Sequence, residues 1–284
     1  MKTILTILSF LLLPLFGMGQ SIEKFSIDSG GASSSAGNIE IFYTIGEVNV
    51  QERSVGNIQV SEGFINPLNL AISVNPKVFL EGPFMNPATA GLMNDDLRTM
   101  LSTTSPYPDG LTTVPAVFTV TGSDAIVDWI LVELRDATDR SIVVESRSAL
   151  LQRDGDVVDV DGVSSVTFTS AADNYYVLVN HRNHLGILSA NPIAVSGGTA
   201  VDLSANPSAI FGGTIAVSNM SGIYAMYSGD FDGNGQIQNS DASQVFLLVG
   251  GSGYSPADMD MNGQVQNTDI NNIIGPNTGR GEQY

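Results

Sequence analysis

Two twelve-residue stretches carry most of the chemistry this chain can offer. The first runs Asp230-Phe231-Asp232-Gly233-Asn234-Gly235-Gln236-Ile237-Gln238-Asn239-Ser240-Asp241. The second begins 28 residues later and runs Asp258-Met259-Asp260-Met261-Asn262-Gly263-Gln264-Val265-Gln266-Asn267-Thr268-Asp269. Eight of the twelve positions are identical, and two more exchange Ile for Val and Ser for Thr. Oxygen-bearing side chains at positions 1, 3 and 5 converge when such a loop curls on itself. Glycine at position 6 permits a sharp turn with positive φ. Position 7 supplies a backbone carbonyl, the apolar residue at 8 anchors the loop, and the acid at 12 closes the shell from the start of a helix. This is the hard-oxygen pattern of a calcium loop. The candidate ligands for two Ca2+ ions are therefore Asp230, Asp232, Asn234, Gln236 and Asp241 in one loop, and Asp258, Asp260, Asn262, Gln264 and Asp269 in the other. Three carboxylates per loop outweigh one divalent charge, so ion binding should be coupled to folding. The bland alternative is a pair of Asx-turns rich in Asp and Gly. Retention of every ligand position in both copies favours the ion.

Other candidates carry less. His181-Arg182-Asn183-His184 offers an H-x-x-H pair on a loop, but no third ligand accompanies it, so structural or solvated histidines are the simpler reading. Asp154, Asp156, Asp159 and Asp161 crowd one hairpin, as a cation site, a binding edge or a solvated turn. Glu133 and Asp136 form one of many carboxylate pairs that glycoside hydrolysis could use. There is no nucleophile elbow, phosphate-cradling glycine loop or Ser/His/Asp signature.

These groups need elements to position them. The chain has 284 residues, 43% of them hydrophobic, enough for two or three domains with a real core. Lys and Arg number 11 against 29 Asp and Glu, a formal charge of −18, which argues against nucleic-acid binding by charge and favours cations. With no cysteine, disulfides, thiol nucleophiles and Cys-based zinc sites are excluded.

Residues 1–19 read as a secretory signal: Lys2, an apolar run from Ile4 to Phe16, and Gly17 and Gly19 before a cut at Gln20. At about 13 residues the run is shorter than the ~20 needed to span a bilayer. No later segment is long and apolar enough to do so. The mature protein is expected to be secreted, whether extracellular, at the cell surface or in the periplasm.

Residues 20–70 read as a small N-terminal β unit. It has a flexible Ser29–Gly37 link, a strand at Ile39–Gly46 and a return strand at Val55–Phe64. Residues 71–221 show short β-rich runs every ~8–12 residues with turn residues between them, the spacing of an antiparallel β-sandwich of jelly-roll or immunoglobulin-like kind. The Asp154-Gly155 pair predicts a hairpin. Asn94 predicts a helix N-cap. Trp129, Phe168, Tyr175 and Tyr176 read as core and edge packing. Residues 222–284 form a small α-helical calcium module, with helices predicted at Asp241–Val249 and Asp269–Ile274, the second stopped by Gly275-Pro276.

The duplicated loop, with Asp instead of Glu at position 12 and no helix leading into the first copy, resembles the dockerin modules of secreted bacterial proteins. Those carry two calcium loops, each followed by a helix. The resemblance implies a cohesin-like partner, chosen there by positions 10 and 11, here Asn239-Ser240 and Asn267-Thr268; the alternative is an intramolecular role, with the module stapled to the sandwich. Tyr43-Thr44-Ile45-Gly46-Glu47-Val48 and Val60-Ser61-Glu62-Gly63-Phe64 resemble an N-terminal segment common in secreted proteins of Bacteroidetes. Val78–Gly82, Asp128–Asp136 and Leu150–Asp156 resemble the β-rich extracellular domain such proteins carry.

The sequence therefore predicts a secreted, non-catalytic calcium-binding protein, mainly β. Its sandwich meets an extracellular protein or glycan, and its dockerin-like module is ordered by two Ca2+. The rivals are an accessory or enzymatic subunit of an extracellular polysaccharide-degrading system, and a self-associating surface-layer component.

Overall fold

The computed structural model describes residues 71–284, preceded by the backbone of four strands at Gly30–Ala36, Ile39–Ile45, Gln51–Val55 and Ile58–Glu62. The expected signal at 1–19 lies outside the described residues, as do 20–29, 37–38, 46–50, 56–57 and 63–70. The chain divides into two compact units, Met1–Leu68 and Asn69–Tyr284.

In the first unit, Gly30–Ala36 pairs antiparallel with Ile39–Ile45, and Gln51–Val55 with Ile58–Glu62. Two sequence readings are corrected here. The Gly/Ser stretch expected as a flexible link is a strand, because backbone pairing with Ile39–Ile45 overrides the weak strand preference of Gly and Ser. The strand at 58–62 returns on Gln51–Val55 and not on Ile39–Gly46.

In the second unit, alternation builds the first strand: along Ile72–Lys77 the buried positions are Ile72, Val74 and Pro76. The largest sheet has six strands. Its path runs from His184–Leu188 through Asp173–His181, Ile126–Asp136 and Val143–Gln152 to Val157–Val158, with Ile193–Val195 also pairing on Asp173–His181. All its pairings are antiparallel. The turn at Asp154-Gly155 forms a hairpin, with Leu150 opposite Val158 and Gly155 at φ 92°.

Two three-stranded sheets complete the β part. Val166–Phe168 and Thr199–Asp202 flank Ile72–Lys77, and Val217–Met220 and Phe79–Leu80 flank Ile223–Met226. An all-antiparallel arrangement is corrected at two pairings. Thr199–Asp202 runs parallel to Ile72–Lys77, and Ile223–Met226 parallel to Phe79–Leu80. Parallel neighbours need a long connection between them, here more than a hundred residues, which local periodicity does not reveal.

One apolar core unites these sheets, with Trp129, Phe168, Ile130, Leu134, Leu150 and Leu151 among its fully buried side chains. Each buried Leu, Ile or Phe contributes ~1.5–3 kcal/mol. Trp129 satisfies its indole N–H on the Ser102 carbonyl at 2.9 Å. Asn94 is not an N-cap. Its carboxamide accepts from Ala88 N and donates to Asn86 O, and the nearest helical turn is the 3-10 segment Arg98–Met100.

After Ile223–Met226 the chain leaves the sheets and forms two loops, each followed by a helix. The first helix is Asn239–Phe246, two residues earlier and three shorter at its end than expected. The second contains a π-helical stretch, Asp269–Ile274, that passes into α-helical Gly275–Asn277. Gly275-Pro276 continues this helix instead of stopping it. Proline is tolerated in the first turn of its own α segment, where its missing N–H is not needed.

The π stretch has a geometric consequence. The position-8 residue of each loop pairs with the segment that follows the other loop's helix. Val265 N donates to Gly251 O and Val265 O accepts from Gly250 N, while Ile237 N donates to Arg280 O and Ile237 O accepts from Gly279 N, at 2.8 to 2.9 Å. The loops are related by a shift of 28 residues, but Gly250 and Gly279 are 29 apart. The wider π turn absorbs the extra residue, so both closures form despite unequal lengths.

Candidate metal centre

Each loop is shaped by its first and last acids. Asp230 accepts from Asn234 N at 3.1 Å and Gly235 N at 2.9 Å, and Asp258 accepts from Asn262 N at 3.1 Å and Gly263 N at 2.8 Å. Asp241 accepts from Phe231 N at 2.9 Å and Gln238 N at 2.8 Å, and Asp269 accepts from Met259 N at 2.8 Å and Gln266 N at 2.7 Å. The two copies thus share one frame of backbone-to-carboxylate hydrogen bonds. Carboxylate oxygens of Asp230, Asp232 and Asp241 lie within 4.8 Å of one another, as do those of Asp258, Asp260 and Asp269.

The acids at positions 1 and 12 are buried, Asp232 is exposed and Asp260 half-buried. Asn234, Gln236, Asn262 and Gln264 have exposed side chains. Glycine at position 6 has φ 78° in the first loop and 84° in the second. Position 4 also turns left-handed: Gly233 at φ 67° is matched by Met261 at φ 58°, a strained choice for a residue with a Cβ. Met261 is buried against the main core, which holds it there.

Burial pushes the Asp230 carboxyl up to about 6, with Asp241 adding repulsion and the Gly235 N–H opposing it. Burial pushes Asp258 up to about 7, opposed by the Gly263 N–H and reinforced by Asp260 and Asp269. Asp269 is raised for the same reasons. Clustered, dehydrated carboxyl oxygens of this kind suit a hard divalent cation and no soft one.

Ile237 and Val265 sit in a second apolar cluster with Val245, Met259, Ile273 and Ile274, which also takes in Leu185 from the six-stranded sheet and Tyr227. The loops are therefore packed on the sheet. Polar contacts add to this seam. Asn183, fully buried, donates Nδ2 to Pro256 O at 3.1 Å and to Asp258 O at 3.0 Å. Ser228 Oγ donates to Met259 O at 2.8 Å. Asn277 Nδ2 donates to Ser228 O at 2.9 Å and to the buried Glu81 carboxylate. Gly82 lies so close to the second loop that a Cβ there would run into the Met259 carbonyl.

Beneath the seam is a buried charged cluster. Asp128 accepts from Tyr254 Oη at 2.8 Å and Arg182 Nε at 3.0 Å, with His181 Nε2 at 3.1 Å. The Arg182 guanidinium also lies 4.3 Å from the Tyr254 ring centroid. Burial raises the Asp128 carboxyl, but the Arg182 charge and these donors bring it below its ordinary range.

The histidines belong to this cluster. They face each other across a tight turn between two strands, not on a free loop, with Nδ1 atoms 3.0 Å apart. Gly82 N donates to His184 Nε2 at 3.3 Å, so that nitrogen carries a lone pair and Nδ1 carries the proton. That proton points to His181 Nδ1 and to Asn183 Oδ1, 2.8 Å away, which leaves His181 Nε2–H for Asp128. Both rings are neutral and all four ring nitrogens have protein partners.

The remaining candidates do not converge. Asp156 pairs with Lys77 and Asp159 with Arg147. Asp154 and Asp161 accept from backbone N–H groups of their own turns. Glu133 pairs with Arg135, and Asp136 holds Thr138 and Asp139. Sequence reasoning gave no role to Asn183, Gly82, Glu81, Ser228 or Asn277: Asn183 lies inside the H-x-x-H stretch and Glu81-Gly82 inside Val78–Gly82, but neither pattern points to these residues.

No model of a known protein family matches the chain, and no curated protein does. Among solved structures it is similar to a chain of a C-terminal interface mutant of a type II cohesin-X-dockerin complex from Acetivibrio cellulolyticus. The identity is 14% and the TM-score 0.40, over 74% of this chain and 97% of that one. An N-terminal interface mutant of the same kind of complex gives 13% identity and a TM-score of 0.36, over 75% and 96%. Likenesses this slight assign no family. Among the described residues, no helix is long and apolar enough to cross a membrane.

Proposed function

We propose that the paired loops are a dockerin-like calcium module and that the chain is a secreted, non-catalytic contact protein. Two Ca2+ ions would each be held by the oxygens of positions 1, 3, 5, 7 and 12. The observation that carries this reading is the repeated loop, which places three carboxylates within 4.8 Å twice over, on the same backbone hydrogen bonds. Calcium relieves their mutual repulsion. Because the second loop shares buried contacts with the sheet, the ions stabilise the sandwich as well as the module.

The partner is an extracellular protein or glycan. The surface of the first helix favours a protein. Phe246 and Leu247 are 64% and 81% exposed, Leu248 and Val249 follow them, and from Asn239 to Pro256 the single charged residue, Asp241, is buried. An uncharged apolar patch on so acidic a chain suits a protein contact more than a sugar. Thermal melts in chelator, calcium and magnesium test the reading. Calcium should raise the midpoint of a single transition, and an unchanged melt would overturn it.

A further inference from the structure

The chain contains two Asn-Gly dipeptides, Asn234-Gly235 and Asn262-Gly263, at positions 5 and 6 of the two loops. Asn-Gly is the dipeptide most open to deamidation, because glycine has no Cβ to block the approach of its own amide nitrogen to the preceding side chain. Both are followed by Gln, so their local chemistry is closely matched. Both Asn side chains are exposed. In both loops the glycine N–H is engaged in the same way, on Asp230 Oδ2 at 2.9 Å and on Asp258 Oδ2 at 2.8 Å.

The carboxamides themselves differ. Asn262 is pinned at both ends: its Nδ2 donates to Asp260 Oδ2 at 2.8 Å, and its Oδ1 accepts from Gln264 N at 2.8 Å. Asn234 engages only its backbone N–H, and its carboxamide has no hydrogen-bond partner among the described residues. Rotation of the side chain toward the next nitrogen breaks two hydrogen bonds at Asn262 and none at Asn234.

We propose that Asn234 is a site of spontaneous modification whose reactivity the calcium ion gates, while its repeat twin Asn262 is protected by the fold. In the reaction the Gly235 nitrogen bonds to Asn234 Cγ and the Cγ–Nδ2 bond breaks. Ammonia leaves with the proton from the Gly235 amide. Water then opens the cyclic imide, giving aspartate or, with the backbone rerouted through the side chain, isoaspartate. Aspartate adds a fourth carboxylate to the loop, and isoaspartate lengthens its backbone and misplaces the later ligands. The calcium clause rests on the proposed function, since an ion bound to Asn234 Oδ1 holds the carboxamide away from the glycine nitrogen. The difference between the two asparagines rests on the structure alone.

The test is peptide mass mapping, with enzymatic isoaspartate detection, of the full chain incubated at mildly alkaline pH. Three samples are compared: chelator, excess calcium, and chemically denatured chain. In denaturant the two sites should convert at similar rates. In chelator Asn234 should convert several-fold faster than Asn262, and Asp260→Ala should bring Asn262 toward the Asn234 rate. Calcium should slow Asn234 several-fold. Equal rates in the folded chain, faster conversion of Asn262, or no conversion at either site while the denatured chain reacts would overturn the proposal. Calcium binding is read separately by calorimetry on the same samples. If calcium binds and the Asn234 rate does not change, the gating clause fails. If calcium does not bind, the proposed function fails while the difference between the asparagines stands.

Discussion

Asn183 Nδ2 donates to the backbone carbonyl of Asp258 at 3.0 Å, and so ties the first ligand position of the second loop to the turn between two sheet strands. The neighbouring Asn183 Oδ1 faces His184, and His184 accepts from Gly82, which abuts Met259 in the same loop. The second loop is therefore held from two sides by the sheet domain. The first loop is approached instead by the C-terminal segment, where Glu282 N donates to Gly235 O.

Asn183→Ala removes the donor to both Pro256 O and Asp258 O. Pro256 is exposed and its carbonyl can turn to water, but the buried Asp258 carbonyl left unpaired costs about 1–3 kcal/mol. Denaturant unfolding should show a loss of that order. Calcium titration should show the second site weakened and the first nearly unchanged. Equal weakening of both would argue against a loop-specific clamp.

Gly82→Ala is expected to act on the same loop by a different route. The new methyl meets the Met259 carbonyl, which is backbone and does not yield easily. The second site should lose affinity and the melting temperature should fall. A variant with unchanged affinity at both sites would mean that the loop accommodates the shift.

The histidine pair gives a pH dependence. Burial holds His184 well below the ordinary histidine range, and the nearby His181 and Arg182 lower it further. Burial also lowers His181, with Asp128 pulling against it. The groups facing the pair are Asp128 and Arg182, with Tyr107 and Tyr254 around them. Unfolded histidine titrates near ~6.5. Below that pH the unfolded chain takes up protons that the fold refuses, so this stabilisation is present above about 6.5 and is lost as pH falls. In chelator, His184→Gln should lose less melting temperature than the parent between about pH 7.5 and 5.5. Parallel pH slopes would contradict the assignment.

The apolar patch should be separable from the fold. Phe246 and Leu247 are mostly exposed, so Phe246→Ser and Leu247→Ser should change stability by no more than about 0.5 kcal/mol. Calcium stoichiometry should stay the same. A large loss of stability on unfolding would show that these side chains pack within the chain.

The loops were legible in the sequence because their chemistry is local. Asp, Asn and Gly at fixed spacing define a loop, and the second copy removed most of the ambiguity. Strands such as Ile126–Asp136 were legible through their β-branched and aromatic residues. The parallel partners of Ile72–Lys77 and Phe79–Leu80 were not, because they come from far along the chain. Gly30–Ala36 is a strand by pairing and not by propensity. The π turn at Asp269–Ile274 shows only as one extra residue against the first repeat. Asn183, Gly82 and Asn277 were invisible for a related reason. Each is an ordinary residue whose importance comes from what the fold brings against it.

Calorimetric titration of calcium into the chelator-stripped chain, repeated with Asp230→Ala and Asp258→Ala, tests the central claim most directly. The account predicts two bound ions per chain, one in each variant, with the parent's melting temperature raised by calcium. Absence of binding at about 1 mM calcium, within the range of weak extracellular sites, would contradict it. So would two ions retained in both variants.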